Sequence, residues 1–279
     1  MGKRTTQVPG RGQSVDVVTE PQGEAQDGAQ SGALEAPLGS LEKLVGLVLC
    51  GGKSQRMGED KAQLDFEGDT LLERACGFLE RDTLEVVLST GKAPRGDSSR
   101  RQVADLRSDA GPLAGLEAGL SDISERYGAA WVLVLACDMP RAERDLFDHL
   151  LAAAQLIGAD AAMFSSDAGD EPLFAVYHTR LLPAITAALD AGRRRMNSFH
   201  DQDFRPALGA VDSPALDKDE PKGDQALGDA ARLPQIVRLG MPSAAPLCNI
   251  NTPLELTQAR AAFKADNEQA GASKNEMQP

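Results

Sequence analysis

The chain is poor in aromatic residues, with a single tryptophan, two tyrosines and eight phenylalanines. That argues against recognition by stacked aromatic platforms, as in single-strand nucleic-acid binders. It is also short of histidine and cysteine: His149, His178 and His200 are scattered, as are Cys50, Cys76, Cys137 and Cys248. No C-x-x-C occurs and no cysteine stands at zinc-ligand spacing from a histidine, so buried structural thiols are expected in a reducing compartment. Basic residues are outnumbered, leaving a net charge of −13 over 279 residues. A general nucleic-acid binder needs a basic face and is excluded on that ground, although a locally basic pocket is not. No apolar run is long enough to span a membrane. No secretory apolar core lies in the first forty residues, and the cytoplasm is the expected location.

What the chain has instead is one dense stretch, Leu44 to Lys61. An apolar run from Leu44 to Leu49 suits one buried strand. It ends at Gly51-Gly52, where the backbone can turn tightly with bare N–H groups, and Lys53, Arg56 and Lys61 follow with Gly58 among them. Strand, glycine turn and closely spaced cations form a cradle for an anion, and a phosphate chain fits best. Two rival motifs fail on spacing. A P-loop has four residues between its first glycine and Gly-Lys-Ser, whereas five separate Gly46 from Gly52. Gly51, Gly52 and Gly58 do not form G-x-G-x-x-G either. The alternative is an ordinary strand-to-helix turn with solvated cations.

Downstream the pattern alternates between strands and helices. Leu71, Leu72, Ala75, Phe78 and Leu79 recur at helical spacing, and Glu85–Thr90 reads as a strand closed by Gly91. Pro94 to Arg101 reads as a polar loop. Pro112 opens a helix marked by Leu113, Leu116, Leu120 and Ile123. Gly115 and Gly119 on it permit close approach to a ligand or tight packing on a sheet. Trp131 to Ala136 is a second fully apolar run, and Ala142 to Ile157 reads as the helix after it. A strand is expected over Ala159–Phe164, then a turn, then an antiparallel strand over Leu173–Tyr177. A helix is expected from Arg180 to Ala191 and a strand over Ile236–Leu239. Thr252-Pro253-Leu254-Glu255 has the form of a capping box with proline at the first helical position, and the helix it starts should run to about Phe263. The fold class that follows is α/β, a three-layer Rossmann-like domain with a mostly parallel mixed sheet. Residues 1–40 read as a disordered tail, 41–265 as the domain with a flexible insertion at about 201–235, and 266–279 as a second tail.

Asp138, just past the apolar run that ends at Ala136, stands where ligands bind in open parallel sheets. It suits Mg²⁺, which takes one or two carboxylates together with phosphate oxygens, or else it caps the next helix. Asp105 and Asp109 precede Gly111-Pro112 and on their own read as loop or N-cap carboxylates. Arg193, Arg194 and Arg195 suit a phosphate or a flat ring system, or simply the C-terminal dipole of the preceding helix.

The segment Leu49 to Lys61 resembles the L-x-G-G-x-S-x-R-M-G-x-D-K signature of nucleotidyltransferases. Gly111-Pro-Leu-Ala-Gly115, Ala136-Cys-Asp-Met-Pro140, Pro172-Leu-Phe-Ala175 and Asn249-Ile-Asn-Thr-Pro253 extend the likeness from about Leu44 to Phe263. Within that superfamily the chain looks most like the molybdenum cofactor guanylyltransferases. The resemblance implies transfer of GMP from MgGTP to Mo-molybdopterin with release of pyrophosphate, and a molybdoenzyme or chaperone as downstream partner. It assigns nucleotide contacts to Leu49, Cys50, Gly51, Gly52, Lys61, Asp138 and an aspartate matching Asp105, with Asp109 still open. It assigns phosphate neutralisation to Arg56 and Lys61, and the metal to Asp138. Arg193, Arg194, Arg195, Asn249 and Asn251 fall on the acceptor side. Arg141 and the insertion depart from the family pattern. A molybdopterin cytidylyltransferase or a sugar-phosphate nucleotidyltransferase would share the same cradle, and a silent nucleotide-binding adaptor would retain its glycines.

Overall fold

A computed structural model describes residues 42–51, 60–95, 99–200, 233–242, 247 and 249–276, with side chains to Asp266. The expected N-terminal tail and nearly all of the insertion lie outside these residues.

Seven strands form one sheet in the order β5-β4-β1-β6-β8-β7-β9. They are β1 (Lys43–Leu49), β4 (Val86–Ser89), β5 (Arg101–Val103), β6 (Ala130–Ala136), β7 (Ala161–Ser166), β8 (Gly169–His178) and β9 (Ile236–Gly240). A two-stranded hairpin, β2 (Asp65–Phe66) with β3 (Asp69–Thr70), stands apart. β1 runs parallel to β4 on one side and to β6 on the other, with Leu49 level with Ser89 and Ala136. β8 is antiparallel to both its neighbours. The cause is local: only Asp167 and Ala168 separate β7 from β8, and a link that short joins antiparallel strands.

Both faces of the sheet are covered, which is why β1 and β6 are apolar throughout rather than alternating. Side chains from successive strand positions point to opposite faces. Val48, Leu133 and Leu135 meet α1 (Leu71–Leu79) and α3 (Arg144–Ile157) on one side. Val45, Leu47, Val132 and Val134 meet α2 (Pro112–Tyr127) and α4 (Leu182–Asp190) on the other. Thr70 caps α1 by accepting from Glu73 N at 3.1 Å. Gly119 answers the question its position in α2 raised. A Cβ there would lie 2.4 Å from Leu47 Cδ2, so the glycine lets helix and sheet pack closely.

The structure corrects several boundaries. The segment 101–103, at the edge of the expected polar loop, is the edge strand β5, whose Arg-Gln-Val composition carries no strand signal. The helix expected from Ala142 starts at Arg144, after a turn in which Ala142 N donates to Met139 O. The one expected over Arg180–Ala191 is a 3₁₀ turn, Thr179–Leu181, followed by α4. The last helix, α5, spans Pro253–Glu276 instead of ending near Phe263, so residues 266–276 are helical where a disordered tail was expected. Alanine, glutamine and glutamate favour helix even without an apolar stripe. α5 packs Leu256 and Ala259 beside Phe66, Leu71 and Ile250.

His178 shows how tightly the sheet is sealed. It is 3% exposed, its ring meets Trp131 edge-on with centroids 5.1 Å apart, and its Nδ1 accepts from Arg180 N at 3.1 Å. Burial pushes its pKa down, Arg180 reinforces that shift, and Glu42, at 3.3 Å from Nε2, opposes it. A folded pKa below the unfolded value means the stabilisation is complete above the ordinary value of 6.5 and is lost as pH falls below it. Between pH 7.5 and 5.5 the wild type should therefore lose more stability than His178→Asn. Urea midpoints for the two proteins at both pH values measure this, and parallel losses would count against it.

Candidate active site

Because β1, β4 and β6 are parallel and level, their C-terminal ends open on one edge of the sheet, where a crevice is expected. Beyond β1 and β4 lies a cleft of about 920 Å³. Leu49, Gly51, Ser89, Thr90, Gly91 and Gly115 line its sheet side, and Lys92, Arg95, Asp105 and Asp109 bring charge to it.

The backbone at the end of β1 is held in place. Cys50 N donates to Ser89 O at 2.9 Å and its thiol points at the same oxygen at 3.3 Å. Burial raises the thiol's pKa, and Cys50, Cys76 and Cys137 are all free and buried, as the sequence leads one to expect; Cys248 lies outside the described residues. Gly51 approaches the neighbouring strand's turn so closely that a Cβ would stand 2.5 Å from Gly91 N and 2.7 Å from Gly91 Cα. The glycine is thus required by backbone-to-backbone contact at the mouth of the cleft. Gly52, Lys53, Arg56 and Gly58 lie outside the described residues.

Lys61 sits on a 3₁₀ turn, Lys61–Gln63, capped by Asp60, whose Oδ1 accepts from Ala62 N at 3.1 Å. Its ammonium donates to Asp138 Oδ2 and, at 3.0 Å, to Asn251 Oδ1. Three residues from distant parts of the chain therefore meet: one from the cradle motif, one from the end of β6, one from the approach to α5. Asp138 is tied in again through its carbonyl, which accepts from Ile250 N at 3.0 Å. Its other carboxylate oxygen, Oδ1, is buried and has no hydrogen-bond partner among the described residues, and the same holds for Asn249 Oδ1. Thr252 and Glu255 form the expected capping box. Thr252 Oγ1 accepts from Glu255 N at 3.2 Å, and Glu255 in turn accepts from Asn251 N. The cap fixes the backbone that carries Asn251. Asp138 has no capping role on α3, whose N-cap position is Glu143.

Both candidate aspartates line the cleft. Asp105 N donates to Gly91 O at 2.7 Å, and burial pushes its carboxyl pKa up. Asp109 has a left-handed φ of 54° and pairs with Lys92 at 3.0 Å, both side chains more than half exposed. Of the three arginines, Arg194 reaches this rim, donating to Asp109 O at 3.2 Å, while Arg195 is exposed and Arg193 half-buried. Arg194 is thus tied to the loop that carries Asp109.

Arg95 and Lys92 escaped the sequence reading. Arg95 donates to Asp60 Oδ2 and to Cys50 O, so a cation from a polar loop grips both ends of the segment that carries the cradle motif. Nothing in its spacing marks it. Lys92 follows Gly91 at the end of a strand, a position that could have drawn notice.

An α/β sheet with a glycine-mouthed cleft and a lysine–aspartate–asparagine cluster beside it belongs to the nucleotidyltransferase class. Residues 46–204 match the profile described as the MobA-like NTP transferase domain. A probable molybdenum cofactor guanylyltransferase of Opitutus terrae is 40% identical over 158 residues, covering 56% of this chain and 77% of the relative. A second, from Methanosarcina acetivorans, is 36% identical over 177 residues, 58% and 76% of the two chains. Among solved structures, molybdopterin-guanine dinucleotide biosynthesis protein A of Archaeoglobus fulgidus superposes with a TM-score of 0.57 at 20% identity, covering 79% of this chain and 99% of that one. The chain belongs to the MobA-like NTP transferase family and is a nucleotidyltransferase.

Gly51→Ala tests the mouth of the cleft. The obstructing atoms are backbone, so the strand ends must separate, at about 1–3 kcal/mol, and nucleotide affinity should fall with them. Thermal melting and nucleotide titration of the variant measure both; wild-type values in the two would refute the contact.

Proposed function

We propose that the protein is a molybdenum cofactor guanylyltransferase, transferring GMP from GTP to the phosphate of Mo-molybdopterin and releasing pyrophosphate. The observation that carries this reading is the Lys61–Asp138–Asn251 cluster, beside a cleft of nucleotide size, in a chain whose relatives bear that name. In this reaction an oxygen of the acceptor phosphate attacks the α-phosphorus as the bond to the β-phosphate's bridging oxygen breaks. The attacking group is already an oxyanion, so no strong general base is required and alignment with charge neutralisation suffices.

Leu49, Cys50, Gly51 and Gly52 would hold the nucleotide, and Asp105 or Asp109 would meet it across the cleft. Lys61 would exchange its ion pair with Asp138 for a phosphate oxygen, with Arg56 adding a second positive charge. Asn249, Asn251 and Arg193 to Arg195 would face the acceptor.

The divalent ion this chemistry calls for, Mg²⁺ in our reading, fits the residues present. A buried carboxylate oxygen without a partner, Asp138 Oδ1, suits a hard cation that completes its shell with phosphate oxygens. When bound, the ion would stabilise charge on the α-phosphate and the leaving group. GTP and molybdopterin are the proposed substrates, and a molybdoenzyme or its chaperone the proposed recipient of the product. No described helix is long and apolar enough to cross a membrane; we place the enzyme in the cytoplasm.

Turnover with GTP, CTP, ATP and UTP, read by pyrophosphate release in the presence of Mo-molybdopterin, tests the assignment. Guanylyl transfer should dominate; preference for CTP would make it a cytidylyltransferase, and no turnover a binding protein. Lys61→Ala should lower kcat/KM by about 10–150-fold, the loss of one charge-assisted contact of about 1.5–3 kcal/mol. Asp138→Asn should fold and bind GTP yet scarcely release pyrophosphate at ordinary Mg²⁺, with part of the rate recovered at high Mg²⁺. Normal turnover of that variant at limiting Mg²⁺ would move the metal elsewhere.

A further inference from the structure

We propose that Arg95 is a positioning residue of the nucleotide site, locking together the two stretches of chain that flank residues 52–59 and thereby setting where Lys61 stands. The inference rests on the nucleotidyltransferase reading above. Arg95 and Gln102 lie outside the signature motif, which contributes Cys50, Asp60 and Lys61.

Arg95 stands in an irregular loop, yet both ends of the residue are fixed. Its backbone makes a reciprocal pair with the side chain of Gln102 on β5: Arg95 N donates to Oε1 at 2.7 Å and Nε2 donates to Arg95 O at 2.9 Å. Its guanidinium, on a side chain only 17% exposed, gives one amino group to Cys50 O and the other to Asp60 Oδ2. Cys50 is the last residue before Gly51, and Asp60 the first described residue after the cradle motif's glycines. Asp60 then uses its second oxygen to cap the turn that presents Lys61. The path is continuous: Gln102 holds Arg95, Arg95 holds Asp60, Asp60 holds the turn, and the turn aims Lys61 at Asp138 and Asn251.

A planar fork with two amino groups can span two acceptors in this way, which a lysine ammonium does only poorly. The residue also lines the cleft, and its Nε is buried without a hydrogen-bond partner among the described residues. Buried donors left unsatisfied are costly and concentrate at functional sites. The otherwise uninformative edge strand β5 also acquires a role, as the anchor of this path.

The test compares Arg95→Met, which keeps length and loses both contacts, Arg95→Lys, Asp60→Asn, and the double variant Arg95→Met with Asp60→Asn. MgGTP affinity is measured by calorimetry and each melting temperature is recorded. Arg95→Met should bind GTP about tenfold more weakly, Arg95→Lys should recover part of the loss, and the double variant should be no weaker than Arg95→Met, because the two residues act through one contact. GTP affinity of Arg95→Met within twofold of wild type would overturn the proposal. So would additive losses in the double variant, or loss of a cooperative melt in both Arg95 variants, which would make the residue a general structural one. A wild-type protein that fails to bind GTP would instead overturn the guanylyltransferase reading, and the Arg95 comparison is then made with whichever nucleotide of the panel binds.

Discussion

The level, parallel pairing of β1 with β4 and β6 is the constraint on which the site depends. Register puts Leu49 beside Ser89 on one side and Ala136 on the other. The next residues along each strand are then neighbours without further arrangement: Cys50 and Gly51 next to Thr90 and Gly91, Cys137 and Asp138 beyond β6. Cys137 N donates to Leu49 O at 3.2 Å, carrying the ladder one step past the end of β6. A slip of one residue would turn Val48 and Leu47 to the wrong faces and separate Asp138 from the cradle at the same time. Core and site are specified by the same hydrogen bonds, so a change that loosens one is felt in the other.

Charge at the site follows from the acidic balance of the whole chain. A protein with a net charge of −13 must still attract a polyphosphate. Three of the cations here are matched by a carboxylate: Lys61 with Asp138, Arg95 with Asp60, Lys92 with Asp109. The pairs differ in what it takes to break them. Lys92 and Asp109 are both more than half exposed and their pairing is worth little in water. Lys61 and Asp138 are 16% and 17% exposed, and leaving either uncompensated in that setting is costly. A ligand that takes Lys61 must therefore bring positive charge to Asp138. On the proposed reading, a metal at Asp138 would couple its own binding to that of the nucleotide.

Much of this was legible before any coordinates. The apolar runs locate β1 and β6, the 3.6-residue period locates α1 and α2, and the capping box locates the start of α5. These signals are local, and local signals survive in a sequence. What could not be read is non-local. β5 owes its strand conformation to β4, since Arg-Gln-Val has no alternation to declare it. Arg95 takes its importance from Cys50 and Asp60, 45 and 35 residues away, and no spacing within its own loop records that. The length of α5 was not legible for the opposite reason: its later turns carry no apolar stripe, and Asn267, Gly271, Ser273 and Asn275 lower their helix propensity.

Three unsatisfied polar atoms bear on the proposed site at this edge of the sheet. Backbone N–H and C=O groups along the strands are paired with one another, as buried groups must be. Past the strand ends, Arg95 Nε, Asp138 Oδ1 and Asn249 Oδ1 are buried without hydrogen-bond partners among the described residues, as are five further side-chain atoms elsewhere in the domain. The three are one donor and two acceptors, from three separate segments, and Arg95 lines the cleft. A fold selected only for stability would have paired or replaced them, because each costs about 1–3 kcal/mol. A triphosphate with its cation offers both kinds of partner at once: oxygens for the donor, a hard positive ion for the carboxylate. The cost is therefore carried in the empty protein and recovered on binding, which is how an unstrained sheet can end in a site built for a charged ligand.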